Sequence, residues 1–343
     1  EAPVVIVNGK RVVNAGDFLG FPPEALTRVE ILPPQAAGLY GGEPGRRVVN
    51  LVLKRNFQSR DALASDTRPT AGGRTALTAD LRRSAIIDNN TTQLGLRGMR
   101  DTSLRADERE AYSRDNPGSE GVTLRPDVRA MAGNFALTRA LGGWSGSLVG
   151  GPRTQSDRSA VRGTPGPTAI DRRTTALTLA GGVGGEYLGW GLRLAADAQA
   201  TEGRQHGLSD TKSSNQSLSA SLQADRKLFE LPAGPISTSL SGRVSRSRFD
   251  FEGDGARNRR TAEATDFRGG LSIPLTRSPR GRAEAAGFGI GDADLTLGTT
   301  FRKTSGSSGG GGLNGGLSWS PTPRFRLNGT WAHATDNPGN QQL

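Results

Sequence analysis

The stretch "SLSASLQAD", residues 217–225, alternates apolar and polar side chains without a break. Leu218, Ala220, Leu222 and Ala224 fall on one face of an extended chain, and serine, glutamine and aspartate fall on the other. Successive side chains of a β-strand point to opposite faces, so this period of two predicts a strand with one apolar and one polar side. The apolar face is built from leucine and alanine, without the bulky residues of a packed core.

The same alternation recurs along the chain from about residue 72 onward. With the stretch above we count about thirteen segments, of the size that a tilted strand needs to cross a bilayer. The others are 77–82, 94–99, 103–110, 134–139, 144–149, 176–183, 190–198, 236–244, 267–273, 293–301, 313–319 and 325–331. The pattern predicts a mainly β protein of antiparallel up-and-down strands.

The connections between these segments alternate in length. Tight links lie at 140–143, 186–189, 229–234 and 320–323, and long polar links lie at 107–127, 151–171 and 202–215. Short turns at one end of the strands and long loops at the other are typical of an outer-membrane β-barrel. The link at 276–289 lies at the end of the strands where short turns are expected, but it is long.

A soluble β-sandwich or β-solenoid also alternates, and this alternative stays open on the pattern alone. The number of strands and the leucine, alanine, glycine and valine on the apolar faces favour the membrane barrel. Aromatic residues are few, although a barrel carries aromatic girdles at both interfaces. The candidates for such girdles are Trp144, Tyr187, Trp190, Phe229, Phe267, Trp319 and Phe325.

The composition agrees with a barrel but does not decide for it. Hydrophobic residues make up 34% of the 343 residues, 49 residues are glycine, and the mean hydropathy is −0.49. Disorder, a soluble β protein and a membrane barrel all fit these values. The sequence has no run of about 18 apolar residues, which excludes a transmembrane helix. The first residue is Glu1, so we expect either a removed signal segment or a fragment.

The charge of the chain is strongly basic, with a formal net charge of +11 and no cysteine. A nucleic-acid-binding protein would concentrate its cations and interleave aromatic residues. Here the arginines are scattered and only 5% of residues are aromatic, so we expect no nucleic-acid partner. Solvated loops, a polar lumen and contacts to anionic lipid explain the charge as well.

Residues 1–57 have a different pattern, typical of a small mixed α/β unit. "PVVIVNGKRV" is predicted to be a strand, a turn at Asn8-Gly9 and a second strand. Pro22-Pro23 suit the first turn of a short helix, which passes into a strand near residues 29–32. "RVVNLVLKR", residues 47–55, is a further strand.

This segment resembles the second half of the plug domain of TonB-dependent outer-membrane receptors. In that family a V-x-V-N/D-G-x-R-V strand pair precedes I-P-x-x-A-I-E-R-I-E-V-L-R-G-P, then A-x-L-Y-G, then G-G-V-I-N-I-V-x-K/R. The matching residues are Pro23, Ala25, Arg28, Val29, Glu30, Ile31, Leu32, Ala37, Leu39, Tyr40, Gly41, Val48, Val49, Asn50, Lys54 and Arg55. The resemblance covers about residues 3–57.

The resemblance implies a fold and a division of the chain. The family folds as a plug inside a 22-stranded barrel, so about thirteen strands make an incomplete transmembrane β-barrel. We expect the C-terminal part of the plug at 1–57, a linker at 58–71 and part of the barrel at 72–343, with the chain truncated at both ends. A barrel left open would expose an unpaired strand edge to lipid.

The resemblance also implies a function and partners. It implies import of a scarce nutrient, of the siderophore–iron, cobalamin or oligosaccharide class, across the outer membrane of a Gram-negative bacterium. A TonB-type protein would supply energy through a box outside this chain, and external loops would bind the small-molecule ligand. Further expected partners are outer-membrane lipid and lipopolysaccharide, and we expect a monomer. The residues expected in the plug motif or at plug–barrel contacts are Arg28, Glu30, Tyr40, Gly41, Arg46, Arg47, Asn50, Lys54 and Arg55.

Catalytic and metal-binding patterns do not emerge from the sequence. The two histidines, His206 and His333, have no cysteines to complete a strong metal site, and we interpret them as surface residues. "GFGIGDADL", residues 287–295, lacks the strand and helix of a dinucleotide site. We therefore expect no enzyme activity and no cofactor. The alternative function is a non-transporting outer-membrane barrel that acts as an adhesin or a signalling receptor.

Overall fold

The computed structural model describes residues 4–8, 10–11, 22–32, 47–253, 255–277, 291–306, 309–322 and 325–335. Its first part is a small sheet of strands β1 (Val4–Val7), β2 (Lys10–Arg11), β3 (Leu26–Leu32) and β4 (Val48–Leu53), in the order β2-β1-β4-β3. β1 and β4 run parallel, and β3 and β4 run antiparallel. A single 3-10 turn, Pro23–Ala25, leads into β3, as the two prolines predict.

The second part is one large antiparallel sheet of thirteen strands. Its members are β5 (Asn56–Thr67), β6 (Ala76–Ile87), β7 (Asn90–Asp101), β10 (Asp127–Leu141), β11 (Trp144–Val161), β12 (Thr168–Tyr187), β13 (Trp190–His206), β14 (Thr211–Leu231), β15 (Gly234–Gly253), β16 (Ala256–Thr276), β17 (Asp292–Thr304), β18 (Gly310–Thr322) and β19 (Phe325–Thr335). Each strand pairs with its neighbours in this order, and β5 and β19 are the edges of the open sheet. The predicted fold class, an up-and-down β structure with an incomplete barrel, is confirmed.

The predicted strand count agrees with the structure, but two of the assignments behind it are wrong. Residues 103–110, interpreted as the third strand, hold only the two-residue strand β8 (Leu104–Arg105), a 3-10 turn and the start of helix α1 (Glu110–Asp115). The expected linker at 58–71 overlaps β5, the first strand of the large sheet. The sequence of β5, "NFQSRDALASDT", carries polar residues on both faces, so its alternation is hidden.

Two connections interpreted as long loops are short. Residues 151–161 and 168–171 belong to β11 and β12, and only 162–167 separate these strands. Only 207–210 separate β13 from β14. The strand ends were missed because both of their faces are polar. The connection after β7 is long as predicted and contains α1 and strand β9 (Thr123–Arg125), which pairs with β8. Most of the unusual link at 276–289 lies outside the described residues.

The strand register divides the large sheet into two faces. We call the face that carries Ile86 the inner face, because Ile86 packs against the small sheet. Residues paired directly across neighbouring strands lie on the same face. On β13 the outer face is apolar over residues 190–200, from Trp190 through Leu194 to Ala200, and then changes to Glu202. Leu194 is 51% exposed although it is apolar. An outer apolar run of this length matches the ~9–11 residues of a strand that crosses a bilayer.

The outer apolar runs of neighbouring strands form what we call the apolar belt. On β14 and β15 it includes Leu218, Leu222 and Val244, which are at least half exposed. Trp144, Tyr187, Trp190 and Trp319 lie beside short turns at one rim of the belt, whereas Phe267 and Phe301 pair across β16 and β17 near the other rim. Aromatic rings at the two rims are the expected interfacial girdles.

The two ends of the large sheet differ. Turns at 88–89, 142–143, 188–189 and 232–233 lie at one end, which we call the proximal end, and the connections at 68–75, 102–126, 162–167 and 207–210 lie at the distal end. The small sheet joins the proximal end, where the amide of Asp88 donates to the carbonyl of Arg55 over 2.7 Å. Among the described residues, no helix has the length and apolarity of a membrane crossing.

Candidate functional site

The best-defined polar contact of the small sheet joins three of the predicted site residues. Glu30 of β3 lies directly opposite Asn50 of β4. Asn50 Nδ2 donates to Glu30 Oε2 over 2.7 Å, and Arg28 Nε donates to Glu30 Oε1 over 2.6 Å. These hydrogen bonds, the one from Arg28 first, hold the pKa of the Glu30 carboxyl below its ordinary value of 4.5. Asn50 is buried, whereas Arg28 is exposed, so the guanidinium is accessible to further partners.

The other predicted site residues are placed in part. Arg47, Lys54 and Arg55 flank β4 and are exposed. Their described contacts are made by the backbone: the amide of Lys54 donates to the carbonyl of Ala25 over 2.9 Å, and the carbonyl of Arg55 accepts from Asp88. Tyr40, Gly41 and Arg46 lie outside the described residues. A role for any of these side chains in holding a plug to a barrel stays a prediction.

An apolar cluster, which the sequence analysis did not predict, joins the small sheet to the inner face of the large sheet. Val7, Leu51 and Leu53 of the small sheet are buried together with Ala25 and with Ile86 of β6, which is only 1% exposed. Phe57 at the start of β5 packs against this cluster. The sequence signal was the pair of isoleucines at the end of β6, because apolar residues on both faces mark a wall strand that is covered on its inner side as well.

Polar groups of the wall are buried beside this cluster. Ser84, Thr91, Gln93 and Thr138 all lie on the inner face near the proximal end, and none is more than 7% exposed. The hydroxyls of Ser84 and Thr138 have no hydrogen-bond partner among the described residues. A buried unsatisfied hydroxyl costs about 1–3 kcal/mol. Buried polar groups therefore lie on the inner face beside the apolar contact between the two sheets.

The inner face further from the small sheet is polar. Across β13, β14 and β15, Ser219 donates to Asp197, and Arg243 Nη2 donates to Ser219 Oγ over 2.9 Å. Arg193 Nη1 donates to Gln223 Oε1 over 3.0 Å in the same wall. Balanced charges and hydroxyls on this face would solvate a polar solute without binding it tightly.

The distal end is held together by arginines. Arg74 donates from Nε and Nη2 to the two carboxylate oxygens of Asp101, each over 2.6 Å. Arg109, beside α1, donates to the carbonyls of Ala71 and Gly72 over 3.2 and 2.8 Å. The long connection at 102–126 is thereby fixed onto the connection between β5 and β6.

A cleft of about 760 Å³ lies at the distal end, between this connection and the ends of β10 to β13. It is lined by six arginines, three aspartates and His206. Most of the sheet residues that line it, including Arg158, Arg173 and Arg204, point to the outer face. The cleft therefore opens away from the polar inner face and is not a mouth of the path along that face.

The described residues contain no group of three or more histidine, cysteine, aspartate or glutamate side chains that could hold a metal ion. His206 ends β13 and lies 3.2 Å from Asp210, with 70% of its side chain exposed. His333 lies exposed on the edge strand β19. Neither histidine points to a catalytic site.

No protein-family model and no curated protein matches the chain. Among solved structures, the chain is similar to the siderophore receptor PirA from Acinetobacter baumannii, with 15% identity, a TM-score of 0.53 and coverage of 96% of this chain and 53% of that one. It is also similar to a mutant of the ferric enterobactin receptor PfeA from Pseudomonas aeruginosa, with 14% identity, a TM-score of 0.55 and coverage of 96% and 53%.

The chain has part of the TonB-dependent receptor fold. The likeness covers 96% of the chain, and the assignment of the small sheet to a plug stays a prediction. From here we use the words plug and wall for these two sheets. The chain spans about half the length of the receptors that it matches.

Proposed function

We propose that this chain forms the end of the plug and the adjoining barrel strands of an outer-membrane receptor that imports a scarce nutrient in a Gram-negative bacterium. The observation that carries the proposal is the combination, in one wall, of an outer apolar belt, a polar inner face and a plug packed against that inner face. A β-sandwich buries its apolar faces against each other, whereas here the leucines of the belt are exposed. Further strands must complete the barrel, since an open edge is not viable in lipid.

The plug–wall contact favours a transporting receptor over a barrel whose plug stays permanently in place. Its apolar cluster is small, and the buried hydroxyls of Ser84 and Thr138 lie on the inner face beside it. A contact of this kind holds the plug at rest and releases it under force. We propose that a TonB-type protein of the inner membrane supplies that force.

The proposed ligand class is a ferric siderophore, because the receptors named above are described as siderophore and ferric enterobactin receptors. Cobalamin and oligosaccharides are the other candidates. The external connections at the distal end would bind the ligand, the polar inner face would line its path, and the receptor would act as a monomer without catalysis.

The test uses the full-length protein that carries this chain, expressed in strains with and without the energising partner. We expect an outer-membrane species whose gel migration changes on heating, and uptake of at least one radiolabelled ferric siderophore that requires the partner. A purely soluble protein would refute the membrane location. A folded outer-membrane protein without partner-dependent uptake of any ligand class would favour the adhesin or signalling alternative.

A further inference from the structure

Two arginines face each other on the outer face of the wall, within the apolar belt. Arg60 of β5 pairs directly with Arg83 of β6, and Arg83 lies next to Leu94 of β7. Both arginines are exposed. Like charges placed directly opposite on neighbouring strands destabilise a sheet, and a cation on the lipid face of a barrel adds a cost that grows with its depth in the bilayer. A compensating anion would relieve both effects.

Among the described residues, no carboxylate lies beside the pair on this face. The outer positions around the pair are Gln58, Ala62, Leu81, Ala85, Thr92, Leu94 and Leu96. Elsewhere on the outer face several arginines lie close to a carboxylate: Arg158 lies 2.6 Å from Asp171, and Arg246 lies 3.6 Å from Glu263. Opposed arginines there, such as Arg173 and Arg204, also have a carboxylate nearby, since Arg204 lies 2.8 Å from Glu202. An anion bound from the surrounding lipid would satisfy both guanidinium groups at once.

The shape beside the pair fits an amphiphile. A shallow groove of about 400 Å³ runs along the outer face and is lined by the two arginines, Ala62, Leu81, Leu94 and Leu96. Asp61 and Arg82 also border the groove, but they lie opposite each other on neighbouring strands and point to the inner face. The groove thus offers two donors for an anionic headgroup and an apolar track for a hydrocarbon chain.

The height of the pair fits a membrane interface. Arg83 lies four residues from Ile87, the proximal end of β6, which corresponds to roughly 9 Å along the membrane normal for a strand tilted by about 45°. Short turns mark the periplasmic side of a bacterial barrel. An arginine can extend its side chain over this distance and keep its guanidinium at the headgroups.

We infer that Arg60 and Arg83 bind the phosphate of an anionic phospholipid in the periplasmic leaflet, with an acyl chain along Leu81, Leu94 and Leu96. The inference rests on the proposed outer-membrane location. Two guanidinium groups form charge-assisted hydrogen bonds with one phosphate, and each basic residue near an anionic bilayer surface adds to the attraction. A headgroup that carries its own cation, such as choline, would be disfavoured beside two guanidinium groups.

The test measures binding of phosphatidylglycerol and phosphatidylcholine to the purified full-length protein by native mass spectrometry. We expect the double variant Arg60→Gln/Arg83→Gln to lose affinity for phosphatidylglycerol by about tenfold or more. The matched control Arg246→Gln, an exposed outer-face arginine that lies 3.6 Å from Glu263, should bind as the unmodified protein does. Arg60→Lys/Arg83→Lys should restore part of the affinity because it keeps both charges.

Three results would overturn the inference: equal binding of both lipids, unchanged binding by the double variant, or displacement of the lipid by inorganic phosphate at equal concentration. Each variant is first checked for heat-dependent migration and outer-membrane location. If the unmodified protein fails that check, the proposed function fails and the inference with it. If it passes and the lipid results are negative, only the inference fails.

Discussion

Asn50 and Glu30 lie directly across from each other on antiparallel plug strands, and the Asn50 amide donates to the Glu30 carboxylate over 2.7 Å. The same carboxylate accepts from Arg28. Twenty residues separate the two partners in sequence, so this contact reports directly on the fold of the plug.

The first prediction concerns the pH dependence of the plug. Arg28 and Asn50 lower the pKa of the Glu30 carboxyl. At pH values above 4.5, the ordinary pKa of this group, the charged carboxylate therefore stabilises the folded plug. That stability is lost as the pH falls through the lowered pKa of the folded state. Glu30→Gln should therefore flatten the acid side of the stability profile, measured by pulse proteolysis of residues 1–57 between pH 3 and pH 7.

Glu24→Gln is the control for that experiment, because Glu24 is an exposed carboxylate of the same segment. It should leave the acid side of the profile as steep as in the unmodified protein. Equal flattening by both variants would mean that loss of any plug carboxylate is sufficient and that the Glu30 contact has no special role.

The second prediction concerns the apolar contact between plug and wall. Ile86 is 1% exposed in the plug cluster, whereas its neighbour Ile87 points to the outer face and is 55% exposed. Ile86→Ala should cost about 2–5 kcal/mol of local stability, as large-to-small changes in a core do. The plug should then be cut faster by a protease added from the periplasmic side, while Ile87→Ala should change the rate little. Similar rates for the two variants would contradict the assigned faces.

The third prediction concerns the clamp at the distal end. Arg109 donates to the carbonyls of Ala71 and Gly72, whereas Arg114, five residues later, pairs with Glu110 across an exposed turn of α1. Arg109→Ala should release the connection at 102–126 and raise its cleavage rate in whole cells several-fold, since hydrogen bonds from charged groups are among the stronger ones. Arg114→Ala should not. An unchanged rate for Arg109→Ala would show that other contacts hold the connection.

The alternation within the apolar belt was sufficient to predict the strands and their two faces, whereas the choice of an incomplete barrel with a plug came from the resemblance over residues 3–57. Leu218 and Leu222 were assigned to one face from the sequence, and the register places them on the outer face with their neighbours on β13 and β15. The alternation fails where both faces are polar, as along β5 and along the distal ends of β11 and β12. There the pairing is maintained by the backbone ladder and by cross-strand pairs such as Arg158–Asp171, which a hydropathy pattern cannot reveal.

The site was predicted less completely than the fold. Glu30 and Asn50 were both selected from the motif, but their contact depends on the register of two strands joined by a connection outside the described residues. Ile86 was not selected, because the side that the plug covers is decided by tertiary packing. A single sequence shows that a residue is apolar but not which surface it meets.

The fourth prediction tests the two faces of the wall with adjacent residues. Leu194 belongs to the apolar belt, and Ala195 points to the inner face between Gly182 and Ser221. Leu194→Arg should destabilise the folded barrel, since a cation on the lipid face costs about 2–4 kcal/mol at the midplane and less toward an interface, and should lower the yield of heat-modifiable protein in the outer membrane. Ala195→Arg should leave that yield unchanged, since its side chain enters a polar lumen. If Ala195→Arg lowered the yield and Leu194→Arg did not, the two faces would have been assigned the wrong way round. Equal yields of both variants would contradict a membrane-spanning wall.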